Sequence, residues 1–387
     1  MEILILLSRV PYPLEKGDKL RAFHQIRCLS QHHTIHLCCL NDTDLHPDAL
    51  NILGKFCKTI QVVNLSKVSI GINIFRALFT GNPLQVGYFY SRKAHIAIEK
   101  TIKELNPDHI YCQLIRTAEY VRNISTKKTL DYQDVFSKGI DRRKEFAPFW
   151  MKPFLNFEYK RLLNYEKKVF SLFDNKTIIS KPDQEFIHHP DRGQIIIIPN
   201  GVDSLFFQQK ETVKTTDLLF TGNMSYAPNI LSAIFLIKEI LPKIILKRPG
   251  IKLKIAGVNP DTKLMELASA NIEIAGWVED IRDSYNSAKI FIAPMQIGTG
   301  LQNKLLEAMS MNLPCITSKL ANNSLGAKPG IEVLIGNSAD EYADHVLNLL
   351  EDCNFAKKLA SNGNQFVHST YNWEVSTGIL EKTILNT

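Results

Sequence analysis

The sequence predicts an α/β protein made of two Rossmann-like halves, each built on a parallel sheet. Three observations lead there. Apolar strand-like runs alternate with helical patterns along the chain, as they do in parallel βαβ units. At 387 residues the chain is long for one hydrophobic core. The alternation also halts at a cluster of turn formers, Pro199-Asn200-Gly201-Val202-Asp203, and then restarts. The expected domains are 1–200 and 201–370, with 371–387 as a closing helix that can cross back to the first.

In the first half, β-branched and aliphatic runs predict strands at 3–7, 34–40, 59–64, 109–112, 129–132 and 175–180. Helical patterns fall between them at 19–30, 47–56, 91–105 and 116–123, and a long one covers 153–173. A short strand at 195–198 precedes the turn cluster. In the second half, strands are expected at 218–220, 252–256, 272–275, 290–293 and 315–317. Helices are expected from 228 toward 241 and at 262–270, 280–288 and 301–311. The tail, 372–385, spaces Trp373, Val375, Ile379, Leu380 and Ile384 as an amphipathic helix.

Composition narrows the function. Hydrophobic residues make up 45% of the chain, which excludes a disordered protein. The formal charge of +7 is spread without a basic tail, so it suits anionic small ligands or an anionic membrane surface better than nucleic acid. Seven cysteines carry neither zinc spacing nor a C-x-x-C pair, and they read as reduced thiols of a cytoplasmic protein. The opening MEILILLSRV reads as a buried strand, because Arg9 interrupts the apolar run before a signal-peptide core is complete. No stretch approaches the ~20 apolar residues of a membrane span.

The chemistry concentrates in GTGLQNKLLEAMS, residues 298–310. A strand delivers the chain to the carboxyl edge of a parallel sheet, where ligands bind. Gly298 and Gly300 permit a tight turn and close approach of a ligand. The amides of Gly300, Leu301 and Gln302 would then open the helix and hold a phosphate, with Lys304 adding charge one turn in. Glu307 would share a face with Gly300 and Asn303, roughly 10 Å along the axis. A carboxylate there can accept hydrogen bonds from a ribose, so a nucleoside diphosphate would lie along the helix. On spacing alone, a solvated Lys304/Glu307 pair after an ordinary glycine turn is an equal reading.

Taken together, PYPLEKGDKLRAF (11–23), IPNGVD (198–203), LLFTGNMSYAPN (218–229), IAGWVEDIRDSYNSAKIFIAPM (274–295) and this stretch to Ser318 resemble a retaining glycosyltransferase of family 4. The likeness is closer to the sugar transferases associated with exopolysaccharide gene clusters. The resemblance implies the GT-B fold, two Rossmann-like domains facing each other across a cleft. It implies a cytoplasmic enzyme that moves a sugar from a nucleotide-diphosphate sugar to a hydroxyl of a growing, lipid-linked surface glycan. The family's usual pattern has two glutamates eight positions apart. Glu307 matches the second, and Thr299 stands where the first would be, which leaves the donor sugar open.

The remaining assignments rest on that resemblance. The Gly17-Asp18 loop would lie over the donor diphosphate, with Lys16, Lys19 or Arg21 supplying charge; read by itself, it is a surface turn with Asp18 as helix cap. Gly222 and Asn223 form the matching loop of the second domain, with Asn223 reaching phosphate or sugar. Gly257, Trp277 and Val278 would line the base pocket, although Trp277 serves equally well as core. Asp131 and Gln113, at the ends of first-half strands, join Lys304 as catalytic candidates. No residue stands out as general base, which suits same-face attack in which the leaving diphosphate takes the acceptor's proton. No cofactor or obligatory metal is expected, since Asp42-Thr43-Asp44 reads as a solvated loop. Residues 146–170 mix aromatics with lysines, as either a solvated interdomain helix or a segment lying on an anionic membrane. Two rivals stay open: an NDP-sugar epimerase or hydrolase on the same scaffold, and a non-catalytic nucleotide-binding partner.

Overall fold

A computed structural model of the chain describes residues 1–208, 212–260, 262–297 and 300–386. The chain divides into two compact units, Met1–Pro199 with Ser376–Thr387, and Asn200–Val375.

The first unit holds seven strands: β1 (Glu2–Leu7), β2 (Thr34–Asn41), β3 (Thr59–Asn64), β4 (His109–Gln113), β5 (Lys128–Asp131), β6 (Asn175–Ile178) and β7 (Ile196–Ile197). Their order in the sheet is β3-β2-β1-β4-β5-β6-β7, and every pairing is parallel. The central strands read as unbroken apolar runs because both faces are covered: Ile3 to Leu7 are each at most 1% exposed. One face packs Ile3, Ile5 and Leu7 against the Gly17–Leu29 helix. Leu380 and Ile384 of the C-terminal helix Trp373–Leu385 complete that layer.

The second unit repeats the plan with six parallel strands: β8 (Thr216–Thr221), β9 (Leu253–Ala256), β10 (Ile272–Gly276), β11 (Ala288–Ala293), β12 (Cys315–Thr317) and β13 (Leu334–Ile335). Their order is β10-β9-β8-β11-β12-β13. The sequence order reverses between β8 and β11, as it does between β1 and β4 in the first unit. At such a switch point neighbouring loops diverge and leave a crevice beyond the carboxyl ends of the strands.

Several helices went unread in the sequence: Lys67–Thr80, Leu84–Phe89, Phe136–Phe146, Ala339–Glu351 and Cys353–Thr370. The first turns its apolar stripe outward, so its pattern marks no core. The helix expected at 301–311 is shorter, Asn303–Ser310, with Gln302 as an extended cap residue. The one at 116–123 is a 3-10 turn, Ile115–Tyr120.

Candidate functional site

In the second unit the crevice is floored by bare backbone. Gly222 follows β8 and Gly257 follows β9, with φ of 155° and 149°. A Cβ on Gly257 would stand 1.8 Å from the carbonyl oxygen of Gly222, so the two loops touch backbone to backbone. A Cβ on Gly222 would meet Asn229 Nδ2 at 2.7 Å. Met224 N donates to Val258 O at 2.9 Å and Gly257 N to Gly276 O at 2.8 Å, tying three strand ends together. Glycine is required here because any side chain would push these loops apart.

Beside this floor stands the Asn303–Ser310 helix, which follows β11. Its first amides, those of Asn303 and Lys304, have no acceptor within the helix. That corrects the expectation for Gly300, Leu301 and Gln302, which precede the helix: Gln302 folds back, donating from Nε2 to Gly300 O at 2.8 Å. Gly300 itself has open space where a Cβ would be. Because the helix starts late, Glu307 lies only about 6 Å beyond Asn303, one turn and not two. Thr299 falls outside the described residues.

Lys304 and Glu307 are not a solvated pair. Lys304 Nζ donates to Asn229 Oδ1, lies 3.8 Å from Met295 Sδ and sits 5.1 Å from the centroid of the Phe220 ring. Burial lowers its pKa to about 8, against the pull of the Glu307 carboxylate. Glu307 Oε2 accepts from Tyr285 OH at 2.8 Å, and the same hydroxyl lies 2.8 Å from Thr221 Oγ1. Burial raises the Glu307 carboxyl to about 7, opposed by the Tyr285 bond and the Lys304 charge. A cation with one oxygen acceptor and a carboxylate with one donor are thus held about one turn apart in a half-buried crevice. Both would gain from an incoming ligand offering an anion to one and hydroxyls to the other.

Asn229 and Tyr285 were not foreseen as site residues. Asn229 also donates from Nδ2 to Asn223 O at 2.9 Å, so it couples the Gly222 loop to Lys304. Asn223 is exposed, but its Oδ1 is taken by Ser225 N and Oγ at 2.9 and 2.8 Å. Trp277 is 69% exposed, which removes its core reading and leaves the indole open beyond Gly276; Val278 beside it is half-buried.

In the first unit the predicted residues separate. Gly17 is exposed, with nothing near its Cβ position. Asp18 is not the helix cap, a place held by Lys16; it pairs with Arg9 at 3.2 Å. Arg21 and Asp131 are each 0% exposed and bonded to one another, Nε to Oδ2 at 2.6 Å. Tyr111 OH and Thr177 Oγ1 fill the rest of the carboxylate at 2.8 and 2.9 Å. So Asp131 is no free base and Arg21 no free cation: each neutralises the other inside the sheet edge. Gln113 is 3% exposed and donates to Asp18 O at 3.1 Å, which makes it a support for the Gly17 loop. Arg9, Lys16, Lys19 and His46 line a small pocket beside that loop, with Asp42 and Asp44 on its wall.

Residues 215–352 match the family model described as glycosyl transferases group 1. The matched stretch lies within the second unit. Over 96% of its length the chain is 24% identical to an uncharacterized 44.6 kDa protein in the cps region of Klebsiella pneumoniae, 96% of which is covered. Two solved structures align with it over 100% of both chains at a TM-score of 0.70. They are a sucrose-phosphate synthase from Thermosynechococcus elongatus, 14% identical, and HepE of Anabaena in complex with UDP, 12% identical. The fold is therefore that of the GT-B glycosyltransferases. The group 1 match contains the Gly222 loop, Asn229, Gly257, Tyr285, Lys304 and Glu307.

Proposed function

We propose that the chain is a cytoplasmic, retaining glycosyltransferase. It moves a sugar from a nucleotide-diphosphate donor to a hydroxyl of a growing, lipid-linked surface glycan. One observation carries the reading: Lys304 and Glu307 stand one turn apart beside the bare Gly222–Gly257 floor, within the group 1 match. In this reading the diphosphate lies at Lys304 and the first amides of its helix. The ribose hydroxyls donate to Glu307, and the base rests near Gly257, Val278 and the exposed Trp277. The relative from a cps region and the UDP complex of HepE support a glycan product and a nucleotide donor.

The bond from the anomeric carbon to the diphosphate breaks. The bond to the acceptor oxygen forms on the same face, and the acceptor's proton passes to the departing phosphate. Catalysis is then positioning plus stabilisation of growing phosphate charge, the task of Lys304. The mechanism draws on no metal.

A thermal-shift screen with UDP, GDP, ADP and CMP tests the reading. A ligand at about 100 Kd stabilises a fold by about 2.7 kcal/mol. Stabilisation by one diphosphate, lost in Glu307→Ala, names the base and supports the site. No shift with any of them argues against a donor site here.

A further inference from the structure

The Lys67–Thr80 helix is inside out. Val68, Ile72, Phe75 and Phe79 recur at i, i+4, i+7 and i+11, so they share one face. That face is the exposed one: the four side chains are 75%, 48%, 63% and 77% exposed, whereas only Ile70 and Ala77 of the helix are buried. An amphipathic helix ordinarily buries such a stripe. Here Phe75 and Phe79 stand ring edge to ring face, with centroids 5.2 Å apart, and no core covers them.

A second aromatic surface adjoins it. Phe149 and Trp150 are 83% and 67% exposed at the approach to the Lys152–Phe170 helix, and Phe154 and Phe157 are about half exposed within it. Arg161, stacked 5.0 Å from the Phe157 ring, donates through Nη2 to the carbonyls of Ala77 and Asn82. That clamp joins the second helix to the end of the first.

Charge accompanies the apolar surface and has one sign. Residues 49–98 hold six Lys or Arg and no carboxylate. The Lys152–Phe170 helix exposes Lys152, Lys160, Lys167 and Lys168. Both of its glutamates are buried and engaged: Glu158 accepts from Leu84 N at 2.7 Å, and Glu166 from Ser137 N at 3.0 Å. Exposed aromatics beside lysines, with no exposed acid on either of these two helices, match an anionic lipid surface, where rings enter the headgroup boundary and ammonium groups meet phosphate. A second copy of the chain would set these lysines against each other without a carboxylate to answer them. No described helix is long and apolar enough to cross a membrane, so contact would be by lying on the surface.

We propose that the exposed faces of the Lys67–Thr80 and Lys152–Phe170 helices dock this protein on an anionic phospholipid bilayer. The inference rests on the exposed surface and is independent of the transferase reading. The test is co-sedimentation with vesicles of phosphatidylcholine alone and of phosphatidylcholine mixed with phosphatidylglycerol. The full chain sediments with the mixed vesicles and not with the neutral ones, and molar salt weakens binding by screening. Phe75→Ser with Phe79→Ser abolishes it at an unchanged melting temperature. Lys160→Gln and Lys167→Gln each weaken it about fivefold at low salt. Brominated acyl chains quench the tryptophan emission, and Trp150→Phe removes that quenching. Equal sedimentation of parent and Phe75/Phe79 variant overturns the proposal. So does a dimer, seen by light scattering, that the same double substitution dissolves, since a second copy would then own the face.

Discussion

Burial treats Glu307 and Lys304 oppositely. Glu307 is pushed up to about 7 and Lys304 down to about 8, so only between these values are both charged in most molecules. Diphosphate binding is expected to follow a bell with limbs near these two values, measured by calorimetry across pH. Affinity falls on the acid side as Glu307 gains a proton, and on the alkaline side as Lys304 loses one. Glu307→Gln should flatten the acid limb, and Lys304→Arg the alkaline one. Removing the carboxylate altogether, as Glu307→Ala, should delete the charge-assisted bonds to ribose proposed for it, worth roughly 1.5–3 kcal/mol each. Unchanged UDP and GDP affinity would take Glu307 out of the site. Lys304→Ala should slow turnover more than it weakens binding, because phosphate charge grows toward the transition state. These two residues were legible because a strand, a glycine turn and a helix stand consecutively in sequence. Asn229 and Tyr285 were not. Their contribution is contact, with Lys304 lying 75 positions from Asn229 and Glu307 lying 22 from Tyr285, and no local pattern records it. Arg21 and Asp131 misled for the same reason: 110 residues apart, they looked like two free charges and are one buried pair. Asp131→Asn should therefore lower stability by several kcal/mol, on the order of 3–5 for a buried ion left alone, without a selective loss of nucleotide affinity. Denaturant unfolding beside a UDP titration separates the two outcomes.

At the scale of elements, the loops after β8 and β9 form a unit held by proximity. A methyl group at Gly257 would overlap the Gly222 carbonyl, and backbone cannot swing aside as a side chain can. Gly257→Ala should cost the second unit stability and remove nucleotide binding together, whereas Gly300→Ala, with open space around it, should leave the fold unchanged. Thermal melts of the two variants give the comparison. Strands were the more readable elements: buried on both faces, they appear as continuous β-branched runs. The start of the Asn303–Ser310 helix was misplaced because Leu301 and Gln302 favour helix intrinsically, while Gln302, bonded back to Gly300 O, is extended. The Lys67–Thr80 helix escaped notice for a different reason: its stripe points to the exterior, so the assumption that apolar periodicity marks a core fails there.

At the scale of the whole molecule, the two parallel sheets share one strand order through their first six strands, and each reverses after its third strand in that order. The second unit holds the nucleotide candidates, so Leu380→Ala in the first unit should cost roughly 2–5 kcal/mol of stability while leaving UDP affinity intact. Differential scanning calorimetry with and without UDP would read both. Leu380 and Ile384 lie against Ile3 and Ile5, and Glu381 pairs with His32 and His33 at 3.0 and 2.9 Å. Strand β1 thus waits for a helix translated far later along the chain before its layer is sealed. The later unit, contiguous along the chain, can close first. Order of synthesis and order of closure are therefore expected to differ, with the unit that is made second sealed ahead of the first.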